Sequence, residues 1–190
     1  MKFIFSFLVF TLSISSSFAQ AGGARAYAGL TTISNKDNIA NPEGHAHTGY
    51  HIGIDARIMS GGMSFLLGGR YTSVSKVAIE EFKLSGHPSS LSLLNGRVGL
   101  DFSIISFGPL FRLRSKVLGS FDMVIAESGS EMPPPGYNLN DGWLGAVTGL
   151  GADIGPFIID LEYEFGVINA YNKVKGSTFD SFTVSVGFFF

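Results

Sequence analysis

From Ala21 onward the chain is dominated by a period-two alternation of apolar and polar residues. The alternation is cleanest from Pro156 to Val167, where Phe157, Ile159, Leu161, Tyr163, Phe165 and Val167 alternate with Ile158, Asp160, Glu162, Glu164 and Gly166. Successive side chains of a strand point to opposite faces, so this run predicts a strand with one apolar face and one carboxylate-bearing face. Ser181 to Phe190 repeats the pattern, with Phe182, Val184, Val186, Phe188 and Phe190 opposite Thr183, Ser185, Gly187 and Phe189. Gly49 to Ile58 sets Tyr50, Ile52, Ile54, Ala56 and Ile58 against His51, Gly53, Asp55 and Arg57. Met63 to Tyr71 sets Met63, Phe65, Leu67 and Tyr71 against Ser64, Gly68 and Arg70, and Leu94 to Ile104 sets Leu94, Val98, Leu100, Phe102 and Ile104 against Asn95, Arg97 and Asp101. A sixth segment, Pro109 to about Ile125, begins with Phe111, Leu113 and Val117 opposite Arg112, Arg114 and Lys116, then calls for a bulge or a looser register near Ser120. Trp143 to Ile154 and Gly23 to Ile33 carry small residues on both faces and complete a set of eight strands.

Connections between these segments alternate in length. Short links fall at Ser60 to Gly62, Ser106 to Pro109 and Gly155 to Pro156, and long polar ones at Ser34 to Thr48, Ser73 to Ser90, Glu127 to Gly142 and Asn169 to Asp180. Tight turns at one end and long loops at the other are the habit of outer-membrane barrels, periplasmic and extracellular respectively. An even strand count puts both termini at the short-turn end.

The N-terminus reads differently. Met1 and Lys2 precede an apolar run from Phe3 to Ile14, followed by Ser15 to Phe18 and small residues at Ala19 and Ala21. That order is a signal peptide, cleaved after Ala19 or Ala21, and the run is too short to span a bilayer as a helix. Residues 20–190 are then one β-barrel domain. Mean hydropathy is positive at +0.30, yet no later window approaches the roughly 18 consecutive apolar residues of a spanning helix. With 25 glycines and no cysteine, long helices are penalised, and zinc-thiolate, redox and thiol-nucleophile chemistry is removed. Thirteen basic residues against 15 acidic ones give no field that favours nucleic acid.

The alternation has two solutions, a soluble barrel or sandwich with apolar residues inside, or a membrane barrel with them outside. In hydrocarbon every backbone N–H and C=O must be paired, so a β protein spans only by closing on itself. The membrane solution places Arg57, Arg70, Arg97, Arg112, Arg114 and Lys116 in the lumen with Asp160, Glu162 and Glu164, joined by Arg25, Asp55, Asp101 and Asp153. Pairing there avoids the roughly 2–4 kcal/mol cost of a basic residue at mid-bilayer. Tyr50, Tyr71, Trp143, Tyr163 and Phe190 stand near strand ends, where interfacial girdles belong. The expected fold is thus an all-β, closed, antiparallel up-and-down transmembrane barrel, and the expected location is the outer membrane.

The Ser17, Phe18, Ala19, Gln20 cleavage context, the Ala28, Gly29, Leu30 segment and the ending Phe182 to Phe190 resemble the small outer-membrane β-barrel proteins of Gram-negative bacteria. The resemblance is to those of the PorT-like, outer-membrane β-barrel domain type found in Bacteroidota. It implies that Phe182, Val184, Val186, Phe188 and Phe190 form the signal read by the barrel-assembly machinery. It also implies contact with outer-membrane lipid and lipopolysaccharide, and an extracellular ligand or envelope protein as partner. No cofactor is implied.

Candidate chemistry is sparse. His45 and His47, with Glu43, offer a weak divalent-metal set in a loop, which a solvated loop explains as well. Asp160, Glu162 and Glu164 could form an acid/base ladder, but the facing Arg and Lys residues make a structural network the better reading. Four histidines are few for a lipid A deacylase type of barrel enzyme, and the one His-x-Ser run, His87, Pro88 and Ser89, falls in a long polar connection. The reading is a non-enzymatic barrel with its function in the long loops. A narrow pore or transporter for small solutes is the alternative, and a lipid A-modifying enzyme ranks below it.

Overall fold

The computed structural model describes residues 22–35, 46–75, 90–108, 110–128, 140–169 and 177–190. They form eight strands: β1 (Gly22–Asn35), β2 (Ala46–Ser60), β3 (Met63–Ser75), β4 (Ser90–Phe107), β5 (Phe111–Ser128), β6 (Gly142–Ile154), β7 (Phe157–Gly166) and β8 (Phe179–Phe189). Each is antiparallel to its sequence neighbours, and β8 closes on β1. The signal-peptide reading of residues 1–19, with either cleavage position, lies outside the described residues.

Closure is complete down to the last residue, with Phe190 N donating to Ala24 O at 2.8 Å and Ala24 N to Phe190 O at 3.0 Å. No strand edge is left open along β1, which an isolated sheet of this apolarity could not tolerate. Following the ladder from Gly23 through Arg57, Leu66, Gly99, Leu118, Val147, Glu164 and Ser181 returns to β1 at Ile33, ten residues along. That stagger tilts the strands by about 40° and leaves an interior that side chains fill.

Three short turns join strands at one end. Gly61 and Gly155 take the first position of two-residue turns with φ of 61° and 58°, and Gly108 has φ of 63°. Left-handed φ there matches the twist of the flanking strands, and glycine adopts it without steric cost.

The expected irregularity near Ser120 is absent, since β5 pairs continuously from Arg97↔Ser120 through Leu94↔Met123. Two shifts occur elsewhere in the β4–β5 pair, with Ile104 unpaired between Ser103 and Ile105, and Ile125 unpaired between Val124 and Ala126. Each inserts one residue, so Ile104 and Ile105 both face outward.

The two faces are inverted relative to a soluble protein. Large apolar residues of every strand are exposed on the outer wall, among them Leu30, Ile54, Leu67, Val98, Val117, Leu150, Leu161 and Val184. Among the described side chains, no Asp, Glu, Lys or Arg within a strand is exposed.

Candidate functional site

The charges converge in the lumen. Arg25 on β1 reaches Asp55 on β2 at 2.6 Å and Asp160 on β7 at 2.9 Å. Arg114 on β5 donates to Asp101 at 2.8 Å, Asp153 at 2.8 Å and Asp160 at 2.6 Å. Arg57 joins Asp101 at 3.2 Å and Asp153 at 2.9 Å. Lys116 sits between Asp160 at 2.8 Å and Glu162 at 2.7 Å. Arg97 binds Glu162 at 2.6 Å and approaches Asp55 at 3.7 Å, while Arg70 bridges Glu162 at 3.3 Å and Glu164 at 3.1 Å. Shared partners link these six cations and six carboxylates into one neutral network. Desolvating so many charges is costly, and shared charge-assisted hydrogen bonds between opposite signs offset that cost.

Glycines on the inner face make room for it. Gly151 lies between Arg114 and Asp160 in the ladder, and a Cβ there would overlap both side chains. A Cβ at Gly145 would likewise overlap Ser120 and Glu164, which are hydrogen-bonded to each other. Beside the closing seam, Gly29 pairs with both His51 and Ser185, so the imidazole lies over β1. Its Nε2 is 2.8 Å from Ser185 Oγ and its Nδ1 is 2.7 Å from Thr31 Oγ1. This Ser–His–Thr chain has the residue types of a nucleophile and base, but Ser185, His51 and Thr31 are 2%, 1% and 1% exposed. Its evident role is to tie β8, β2 and β1 together.

Toward the long-loop end, the polar network gives way to an apolar layer of Ile33, Val74, Leu91, Leu93, Trp143 and Phe179, with the Trp143 and Phe179 rings 5.0 Å apart. Between the two lies a cavity of about 10 Å³, room for about one water, against Arg70, Asp122, Trp143, Glu164 and Phe179.

Of the residues expected in the lumen, Arg57, Arg70, Arg97, Arg114, Lys116, Asp160, Glu162 and Glu164 are all buried within this network. Arg112 departs from it. It is half-buried at the short-turn end, donates to Met59 Sδ at 2.9 Å, and forms no ion pair among the described residues. Trp143 departs from the girdle assignment, being 4% exposed and inside the barrel. Its parity follows from Leu144 and Leu150, which point outward. Tyr50 and Phe190 do face outward. Phe182, Val184, Val186, Phe188 and Phe190 form the exposed face of the terminal segment. His45 lies outside the described residues, and His47 pairs with Ile33 at the start of β2.

Asp122 is a lumen residue that the alternation reading missed. Counting parity forward from Val117 through Gly119, Phe121 and Met123 would have placed it inside. The inward apolar Leu118, packed with Leu66 and Val147, masked that count.

No protein-family model and no curated protein matches the chain. Among solved structures, Neisserial surface protein A (NspA) superposes with a TM-score of 0.52 at 15% identity, covering 90% of this chain and 99% of that one. Ail, the attachment invasion locus protein of Yersinia pestis, aligns over 90% of this chain and 100% of its own at 11% identity and a TM-score of 0.48. The N-terminal β-barrel domain of Pseudomonas aeruginosa OprF aligns over 89% of this chain at 10% identity and a TM-score of 0.36. At these identities the likeness concerns the fold, and the chain shares with NspA a closed eight-stranded antiparallel barrel.

Proposed function

We propose that this chain is an integral outer-membrane barrel of a Gram-negative envelope, without enzymatic activity, whose role in surface interaction or envelope structure resides in its four long loops. The observation that carries the reading is the inversion of the two faces. Ion-paired side chains fill the lumen, and the outer wall is apolar on every strand. A wall of that extent is insoluble in water unless lipid covers it. NspA is described as a surface protein, and the same exposure is proposed here for the long-loop end. On this reading the terminal Phe182 to Phe190 segment is the assembly signal, and lipid with lipopolysaccharide surrounds the belt. Membership of the PorT-like type rests on the Ala28, Gly29, Leu30 segment and that terminal segment.

The test is expression of the full chain in a Gram-negative host, followed by fractionation, gel migration with and without boiling, and protease treatment of intact cells. The expected result is a heat-modifiable protein in the outer-membrane fraction, cut only between strands in the long loops. Recovery as a soluble periplasmic monomer overturns the proposal.

A further inference from the structure

Asp122 on β5 is a lumen carboxyl group outside the ion network. It is 5% exposed; its Oδ1 accepts a hydrogen bond from Asn95 Nδ2 at 3.0 Å, and its Oδ2 is buried with no partner. Asn95 on β4 is 1% exposed, and its Oδ1 also lacks a donor. Two touching side chains therefore each bury an oxygen that faces no hydrogen, in a fold whose other buried carboxylates are multiply bonded.

Charge sharpens the point. The six cations of the network are matched by six carboxylates, so an ionised Asp122 has no cation of its own. Arg70 on β3 is the cation at the cavity wall; its two terminal nitrogens are already on Glu162 and Glu164 of β7, and its Nε is buried without an acceptor. An uncompensated carboxylate at this depth is strongly unfavourable.

The cavity against Asp122 suits one positive charge. Its wall combines the Asp122 and Glu164 carboxyl groups with the hydroxyl-bearing Thr31, Thr72 and Ser181, oxygen ligands of the kind hard cations take. Trp143 and Phe179 line it on the loop side, and aromatic side chains can attract cations. At about 10 Å³ it admits one water-sized body. Mg²⁺ with its retained waters does not fit.

We propose that the loop-facing end of the lumen is a binding site for a single alkali-metal cation of the sodium class, with Asp122 Oδ2 as its charged ligand. The bound ion gives the Asp122 carboxylate a counter-ion beneath the apolar layer. This inference is independent of the surface role proposed above.

The test uses the detergent-folded protein. Its unfolding midpoint is followed in lithium, sodium, potassium and N-methylglucamine chlorides at constant ionic strength, over a range of pH. The expected result is a saturable rise of several degrees with an alkali cation and none with N-methylglucamine, together with broadening of the ²³Na resonance by the wild-type protein. Asp122→Asn should abolish both and, in N-methylglucamine, melt no lower than the wild type. Three results overturn the proposal: alkali salts indistinguishable from N-methylglucamine, an unchanged alkali response in Asp122→Asn, or stabilisation that follows pH alone, which would put a proton where the cation is proposed. Should the variant not fold, the wild-type salt series and the ²³Na signal decide by themselves.

Discussion

Arg114 and Arg112 stand two residues apart on the same face of β5, and their environments could hardly differ more. Arg114 is 0% exposed and holds three carboxylates, whereas Arg112 is half-buried against a thioether. Removing one member of a buried ion cluster leaves uncompensated charges and costs about 3–5 kcal/mol. Arg114→Met is therefore expected to lower unfolding stability in lipid by that amount, and Arg112→Met by less than about 1 kcal/mol, both read from denaturant titration of gel mobility. Gly29 supplies a second residue-scale prediction. A Cβ there would strike the backbone of Val184 and Ser185, which cannot swing aside. Gly29→Val should cost about 1–3 kcal/mol through overpacking, and more if the His51–Ser185 contact is lost with it. Most lumen charges were legible from alternation alone, because a charge can occupy only the inner face of a membrane barrel. Asp122 and Trp143 were not, because apolar or small neighbours at Leu118, Gly145 and Val147 erased the contrast between faces.

At the scale of the strands, existence was easier to read than extent. All eight segments are strands, but β4 and β5 run to 18 residues each, well beyond their apolar cores. A strand that leaves the hydrocarbon loses the contrast that marks it, so periodicity stops before pairing does. The bulges at Ile104 and Ile125 were misplaced to Ser120 for a related reason. An inserted outward isoleucine beside another apolar residue looks like continued alternation, while an inward leucine looks like a break. Turn chemistry was the more dependable local signal. Gly155 has φ of 58° and open space around its missing Cβ, so any penalty on substitution is conformational. Gly155→Ala should slow refolding into detergent and cost roughly 1–2 kcal/mol. Gly155→Asn should recover part of that, since asparagine tolerates the left-handed region. Equal loss in both variants would show that the turn is held by something other than its backbone conformation.

For the whole molecule, strand number and stagger together settle what the lumen can do. Eight strands with a ten-residue stagger make a backbone cylinder about 8 Å in radius, which side chains fill. Here the inward side chains are long: Arg25, Arg57, Arg97 and Arg114 reach through the lumen to carboxylates on strands that are not their neighbours. Ion conduction needs a continuous water path, and the six buried cations that could line one are each bound to a carboxylate at hydrogen-bonding distance. Purified protein in planar bilayers is therefore expected to show no steady conductance steps at moderate voltage. Opening such a path would mean breaking several charge-assisted bonds together, each worth about 1.5–3 kcal/mol, so any openings should be brief and rare. Steady ion-selective steps would instead favour the narrow-pore reading, and would place the conducting route along the side of the lumen where Leu66, Leu118 and Val147 replace the charges.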